Sequence, residues 1–157
     1  MPGSSSDLRV PKLPVAVELA LDGRAPRPVE IYLAEQRARD PRPDDVADLF
    51  DEPAPFLPAR DVGEGEVVVL RKEAVAWIAI PARRDDDELY EARRDVRVEL
   101  RGGGGLDGEL LYSPPEGRSR VVDHLNGAGR FVRLFSGDRV YLVSSAYILR
   151  VIEKSER

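Results

Sequence analysis

The stretch RVVDHLNGAGRFVRL (120–134) contains the only histidine of the 157-residue chain, His124, next to Asp123. An imidazole beside a carboxylate is the pair that activates a serine nucleophile in many hydrolases. Serines that could complete such a site stand at positions 119, 136, 144 and 145. None of them lies in a nucleophile-elbow pattern such as G-x-S-x-G, so the parts of a triad are present without a motif that assembles them.

Two further stretches have residue types that bind ions. The acidic run DDDE (85–88) lacks the alternating oxygen ligands and the turn glycine of a calcium loop. The glycine-rich run RGGGGLDG (101–108) is followed by a strand pattern, whereas a phosphate-binding loop leads into a helix. With no cysteine and one histidine, the chain also lacks the usual ligands of transition metals. We therefore predict no metal site and no cofactor, and a hairpin turn over 101–108.

The composition bounds the class of the protein and its partners. An apolar fraction of 42% is enough for a packed core. The formal net charge of −5 argues against nucleic acid and anionic membranes as partners, since both attract basic surfaces. No apolar run is long enough to cross a bilayer, and the first residues, MPGSSSDLRVPKLP, lack the pattern of a secretory signal. We expect a cytoplasmic protein with no membrane partner.

The chain contains an internal repeat. VAVEL (15–19) matches VRVEL (96–100) at four of five positions, and the match continues in order along the chain. The later matches are Gly23 with Gly104, Glu30 with Glu109, Phe56 with Phe131, and 66–78 with 139–151. The series predicts two copies of one module. The predicted segments are a flexible tail at 1–14, a first module at 15–80, a charged connector at 81–95 and a second module at 96–153.

Each predicted module consists mainly of strands. Val15, Val17 and Leu19 alternate with other residues, as in a strand with one buried face. VVVL (67–70) and VYLV (140–143) are continuous apolar runs, which are typical of strands covered on both faces. Five short strands with tight turns favour a small antiparallel barrel, because closure leaves no unpaired edge. A short helix is predicted between the second and third strands of each module.

The repeat also bears on the role of His124. The first module has Leu49 at the matching position, within DVADLF (45–50), so a site shared by both modules cannot use the histidine. A site restricted to the second module needs a serine close to the imidazole, and no motif places one there. We predict that His124 lies at the end of a short helix. We also predict no catalytic residue and a protein that is not an enzyme.

Two stretches resemble a known family of barrels. VRVELRGGGGLDGELLY (96–112) looks like the opening strand pair of Sm-like barrels, in which an apolar strand, a glycine turn and a second strand follow in order. DRVYLVSSAYILRVI (138–152) is similar to their closing strand pair, and SH3-like barrels have a similar build. The resemblance implies a mainly β fold of two tandem, five-stranded, small antiparallel barrels. The predicted helix departs from it, since Sm-like proteins carry their helix before the first strand.

The same resemblance bears on function. Sm-like proteins bind single-stranded RNA through loops with an asparagine, a stacking aromatic and a basic residue beside glycine, whereas the corresponding turns here read RKE (71–73) and SSA (144–146). We therefore predict a non-enzymatic protein-interaction, scaffold or regulatory module, whose partner is another protein or a second copy of the chain. The alternative is an Sm-like single-stranded RNA-binding protein. The candidate interaction surface comprises Arg94, Arg97, Arg101 and Arg118.

Overall fold

The computed structural model describes residues 11–83, 92–112 and 120–154, and within them the chain is mainly β. The strands are β1 Lys12–Leu21, β2 Arg27–Ala34, β3 Phe56–Asp61, β4 Val67–Arg71, β5 Val75–Pro81, β6 Ala92–Leu100, β7 Gly105–Tyr112, β8 Phe131–Ser136, β9 Arg139–Ser144 and β10 Ile148–Glu153. The helices are α1 Glu35–Ala38, α2 Pro43–Asp51 and α3 Val121–Gly127, with 3-10 turns at Lys72–Ala74 and Ser145–Tyr147.

The ten strands form one antiparallel sheet in the order β10-β6-β7-β8-β9-β5-β1-β2-β3-β4. We call β1–β5 with α1 and α2 the N-terminal unit, and β6–β10 with α3 the C-terminal unit. Both units have the same internal order, since the fifth strand lies beside the first and the first four follow in sequence. In chain order α2 lies between β2 and β3, and α3 between β7 and β8. The prediction of a mainly β, antiparallel fold is confirmed.

The prediction of two separate closed barrels is not confirmed. Within the described residues the strand pairing runs in one line, and β4 and β10 each have a partner on one side only. β5 pairs instead with β9 of the other unit, from Trp77 opposite Val143 to Pro81 opposite Arg139. We call this pairing the central junction. It joins the units because a strand has two hydrogen-bonding edges, and β5 and β9 each use one edge within their own unit.

The strand register corrects two matches of the internal repeat, that of VAVEL with VRVEL and that of Gly23 with Gly104. The two matching glutamates, Glu30 and Glu109, lie opposite Ala16 and Asp95 on the first strand of each unit. VAVEL and VRVEL are therefore two residues out of step, although they belong to corresponding strands. A slip of two residues leaves each side chain on its own face of the sheet, so the alternation of apolar residues cannot reveal it.

The turn after the first strand confirms the corrected register. The backbone N–H groups of Asp22 and Arg101 donate to the carbonyls of Ala74 and Tyr147, at matching points before the fifth strand. The counterpart of Gly23 is therefore Gly102, and their φ angles of 68° and 83° are both in the region that favours glycine. In the later strands Phe56 corresponds to Phe131 and Val67 to Val140, as the sequence predicts.

The sheet has two apolar cores, one for each unit, and the central junction lies between them. On β5, Ile78 faces the core of the N-terminal unit and Trp77 faces the core of the C-terminal unit. On β9, Leu142 and Val143 are divided between the two cores in the same way. Both strands are thus buried on two faces, which explains their continuous apolar sequences.

Helix α2 also connects the two units. The ring of Phe50 on this helix packs edge-to-face against Phe131 of β8, with ring centroids 5.4 Å apart. This geometry is a favourable one for aromatic pairs. Two ion pairs join the same elements: Asp44 with Arg133, and Asp51 with Arg130 at 3.5 Å.

Two predicted segments fall partly outside the described residues. These parts are residues 1–10 of the tail and 84–91 of the connector, and the second includes the DDDE run. β1 begins at Lys12 and β6 at Ala92, so each strand starts before the predicted module does, because β2 and β7 are long enough to pair with the extra residues. None of the helices in the described ranges is long and apolar enough to cross a membrane.

We expect the two units to unfold together, because they share β5 and β9. Leu142→Ala removes a fully buried side chain of the C-terminal unit from the core of the N-terminal unit. It is expected to lower the free energy of unfolding by about 2–5 kcal/mol. Urea denaturation followed by circular dichroism and by the fluorescence of Trp77, which lies in the other core, should give one midpoint.

The exposed Val62→Ala variant is the control and should change stability by less than about 0.5 kcal/mol. Two separate midpoints for Leu142→Ala, with only the Trp77 transition unshifted, would show that the units unfold independently.

Candidate interaction surface

His124 packs against an aromatic ring. Its imidazole stacks on Tyr112 of β7, with ring centroids 4.6 Å apart and an interplanar angle of 14°. Partial burial lowers the pKa of this histidine below its usual 6.5. The Nε2 atom is buried and has no hydrogen-bond partner within the part of the chain that the structure describes.

The other residues of the histidine stretch have local partners. The carboxylate of Asp123 accepts from the guanidinium of Arg120 at 3.2 Å. Among the serines, the hydroxyl of Ser145 donates to the carbonyl of Gly129 at 2.8 Å. Ser119 lies outside the described residues. The contacts of His124, Asp123 and Ser145 therefore lead to three different neighbours.

Of the four arginines of the candidate surface, the structure describes Arg94, Arg97 and Arg101. Arg94 and Arg97 stand three residues apart on β6, so they point to opposite faces of the sheet. Arg97 donates to Asp107 of the neighbouring strand at 2.8 Å. Arg101 lies in the turn after β6, and Arg118 lies outside the described residues.

A cleft of about 740 Å³ opens where the two units meet. Its lining contains carboxylates and guanidinium groups in nearly equal number: Asp22, Asp51, Glu73, Arg101 and Arg130. Tyr147 lies at its wall, and burial together with the charge of Asp22 raises the pKa of this phenol. No group of three or more metal-ligating side chains occurs among residues 11–83, 92–112 and 120–154. The cleft thus has three carboxylates and two guanidinium groups, so its charged lining includes both signs.

The two terminal strands of the sheet, β4 and β10, expose apolar side chains. The residues at the equivalent positions of β9 and β5, the strands of the central junction, are buried. On β4, Val67 is 77% exposed and Val69 is 68% exposed. Their counterparts on β9, Val140 and Leu142, are fully buried under the N-terminal unit. β4 therefore has an apolar surface of the kind that β9 buries.

The other end of the sheet shows the same contrast. On β10, Leu149 is 67% exposed and Ile152 is 37% exposed. Their counterparts on β5, Ala76 and Ala79, are buried in the core of the C-terminal unit. We call the exposed edge of β4 the β4 end, and that of β10 the β10 end.

Two polar anchors hold β4 in place. At its start, the carboxylate of Asp61 accepts from the guanidinium of Arg27 at 2.6 Å and from the backbone N–H of Glu64 at 3.0 Å. The hydrogen bond from Arg27, and then that from Glu64, lower the pKa of Asp61 to about 2. After its last residue, the buried ammonium of Lys72 donates to the carbonyl of Glu52 at 2.8 Å. These bonds hold β4 at both of its ends.

The two ends differ in charge. Beside β4, hydrogen bonding to Glu64 and repulsion from it raise the pKa of Glu66. Beside β10, Lys154 and Arg97 lie on either side of Asp107, at 3.0 and 2.8 Å. The β4 end is thus acidic at its first residues, whereas the basic groups beside β10 are paired with carboxylates.

The chain matches none of the protein-family models, curated proteins or solved structures with which it was compared. The geometry of the sheet ends is therefore the basis on which its function is inferred.

The sequence-based search for a site missed both sheet ends. The sequence pattern predicts VVVL (67–70) as a strand covered on both faces and Phe56, which matches Phe131, as a core residue. In the structure Val67 and Val69 are mostly exposed, and Phe56 is 44% exposed. A signal was present in the repeat, since Val67 and Val69 match Val140 and Leu142 residue by residue. The repeat could not show which copy has a neighbouring strand.

We expect His124→Leu to retain the fold and to lose a pH dependence of stability. Because burial lowers the pKa of His124 in the folded protein, the unfolded chain binds the proton first, and wild-type stability falls as the pH drops below about 6.5. The leucine variant should therefore gain stability relative to wild type between about pH 8 and about pH 5. Urea denaturation at several pH values measures this difference.

His124→Gln is the matched control, since it removes the titration but keeps a polar group at the site. It should lose the same pH dependence and be less stable than the leucine variant. An unchanged pH dependence of stability in both variants would contradict the conclusion that burial lowers the pKa of His124.

We expect Asp61→Asn to destabilise the turn before β4 in a pH-dependent way. Wild type benefits from the ionised carboxylate above pH 3.8, the unfolded pKa, and loses this benefit as the pH falls to about 2. The stability difference between the two proteins should thus be constant above pH 3.8 and shrink below it. Thermal unfolding across this range measures it, with the exposed Asp48→Asn as control. A difference that persists unchanged at the lowest pH would count against the carboxylate as the cause.

Proposed function

We propose that this protein is a non-enzymatic scaffold module that binds protein partners at the two ends of its ten-stranded sheet. One observation carries the proposal: Val140 and Leu142 of β9 are fully buried, whereas their counterparts Val67 and Val69 of β4 are mostly exposed. One unit thus buries the same strand surface that the other leaves open. A strand from a partner, placed on β4 as β5 is placed on β9, would cover it.

The properties of β4 support this function. Exposed edge strands are usually protected by charged side chains, proline or bulges, because their backbone groups attract other strands. β4 has two exposed valines, at its first and third positions, and its charged groups are Glu66 just before it and Arg71 at its end. Full burial of a valine side chain stabilises a complex by about 1.5–3 kcal/mol at most. The β4 end therefore has an apolar driving force for association in addition to its hydrogen-bonding groups.

The charges around the β10 end support a protein partner over nucleic acid. Arg97 and Lys154 both contact Asp107, and Arg150 forms an ion pair with Glu99. A phosphate backbone binds best to basic groups that are free to release its counterions. Here a phosphate would have to displace carboxylates that already neutralise the basic side chains. A protein strand with mixed charge fits this surface better.

The proposal includes the finer architecture, two related modules of small-barrel type within one chain. The identical strand order of the two units and the 3-10 turn before each fifth strand support it. Each unit then has two unpaired strand edges, one on its fourth strand and one on its fifth. The central junction uses the edge of β5 from the N-terminal unit and the edge of β9 from the C-terminal unit. The two sheet ends are the edges that remain.

Site-specific photo-crosslinking tests the proposal. A photoreactive amino acid replaces Val67, which lies on the β4 end, in cells that produce the protein. We expect adducts that proteases destroy and nucleases leave intact, because the partner is a protein. A second substitution, Val69→Lys in the same chain, should reduce the yield of adducts by at least about tenfold by placing a charge in the apolar contact.

The matched control is the same photoreactive residue at Val62, an exposed valine in the turn before β4. It should give no discrete adduct. Nuclease-sensitive adducts at position 67, or equal yields at positions 62 and 67, would reject the β4 end as a protein-binding site.

A further inference from the structure

We propose that the protein partner is a second copy of this chain, and that β10 of one copy pairs with β4 of the next in the register of the central junction. This inference rests on the proposed function, because it names the partner of the same two sheet ends. The structure already contains one such contact, between the fifth strand of one unit and the fourth strand of the other. β4 is the fourth strand of its unit and β10 is the fifth strand of its unit, and among the described strands each has a free edge at one end of the sheet.

The register of the central junction specifies the contact between copies. Ile78 lies opposite Leu142 in that junction, and the counterparts of these residues are Val151 and Val69. Applied along both strands, the same rule gives the pairs Arg150 with Leu70, Val151 with Val69, Ile152 with Val68, Glu153 with Val67, and Lys154 with Glu66. The last pair joins a cation to an anion.

The apolar side chains at each end match the core that they would meet. Val140 and Leu142 enter the core of the unit that contributes the fifth strand, so Val67 and Val69 enter the C-terminal core of the neighbouring copy. In the opposite direction, Leu149 and Ile152 take the places of two alanines that lie in the neighbouring core. Four of the eight large apolar side chains that the structure shows exposed are thereby covered.

An ion pair of the central junction has a counterpart at the sheet ends in which the acidic and the basic residue exchange places. Across the central junction, the guanidinium of Arg139 donates to the carboxylate of Glu18 at 2.6 Å. The counterpart of Arg139 is Glu66, and the counterpart of Glu18 is Arg97. Both charges are reversed, so Glu66 can accept from Arg97 of the next copy while that guanidinium also donates to Asp107. Reversal of only one of them would have placed like charges together.

An aromatic contact can also be repeated. In the central junction Phe50 of α2 covers Phe131, and the counterparts of these two residues are Leu125 and Phe56. Phe56 is 44% exposed, and the guanidinium of Arg71 lies over its ring, at 4.4 Å. In the assembly Leu125 of one copy lies against Phe56 of the next. The exposure of Phe56 follows from the absence of that neighbour in a single chain.

The contact between copies is weaker than the central junction. Arg150 and Glu153 replace the buried Trp77 and Ile80, so less apolar surface is covered. The ion pairs of α2 with β8 also have no equivalent, since Pro55 and Pro58 stand where Arg130 and Arg133 would be needed. Association is therefore reversible and depends on concentration. Because the contact joins unlike surfaces, the copies follow one another head to tail and form a ring if the rotation closes.

Analytical ultracentrifugation of the purified full chain tests the inference. We expect masses at multiples of 17.4 kDa, with larger species at higher concentration. Two variants block one end each: Val67→Lys with Val69→Lys, and Leu149→Lys with Ile152→Lys. Lysine is used at both ends so that the introduced charges repel each other. Circular dichroism is used to check that each double variant is folded. If one of them is not, the single variant Val69→Lys or Ile152→Lys is used in its place.

The decisive measurement is a mixture of the two blocked variants. Each alone should be a monomer, since a contact requires one intact β4 and one intact β10. An equimolar mixture should form a 1:1 dimer and nothing larger. The control Val62→Lys should associate as wild type does. Association of either blocked variant by itself would show a symmetric contact and overturn the head-to-tail arrangement.

Charge reversal provides a second, independent readout. Glu66→Arg and Arg97→Glu should each weaken self-association by about twofold to fivefold, as expected for an exposed ion pair. The two changes combined in one chain should recover part of the lost association, because the glutamate introduced at position 97 of one copy then faces the arginine introduced at position 66 of the next, while Lys154 still lies opposite that arginine. Failure of the double variant to recover would remove the charge argument for this register.

The outcomes separate this inference from the proposed function. A wild-type chain that stays monomeric at every concentration, while position 67 still crosslinks to another protein in cells, rejects self-assembly and leaves the scaffold function standing. A monomeric chain without any protein adduct at position 67 rejects both. Adducts at multiples of the chain mass support both.

Discussion

The pairing of β5 with β9 is the constraint on which the rest of the structure depends. It places two strands with apolar residues on both faces between the two cores, so that each core is completed by a strand of the other unit. A strand hydrogen-bonds along two edges and buries two faces, and at the junction all four are used. The two units therefore share the same strand order and contribute side chains to each other's cores.

The same pairing determines what is left exposed. When units are joined in a row by pairing the fifth strand of one unit with the fourth strand of the next, two strands stay unpaired on one edge. One is a fourth strand, at one end of the row, and the other is a fifth strand, at the opposite end. In this chain these are β4 and β10, and their outward side chains include Val69 and Ile152. The apolar surface at the sheet ends is thus a consequence of the repeat, and it is explained by the junction that the chain contains once.

Much of the fold could be predicted because it depends on local patterns. Alternation around Val17 and Leu19 predicts half-buried strands, and the ordered matches from Glu30 to Phe131 predict two similar units. The exact register could not be predicted, since a shift of two residues preserves the alternation in VAVEL and VRVEL. The prediction that Phe56 is a core residue was wrong, because its counterpart Phe131 is covered by a helix of the other unit and Phe56 is not. No local sequence pattern encodes that contact.

The sequence by itself determined the antiparallel β class and the number of strands in each half, because side-chain alternation and turn residues act over a few positions. Only the tertiary structure decided which copy of a repeated strand is buried. Val69 and Leu142 are similar side chains in equivalent strands, yet one is exposed and the other is fully buried. The difference lies in whether another strand occupies the adjacent edge, and that depends on contacts between residues far apart in the chain.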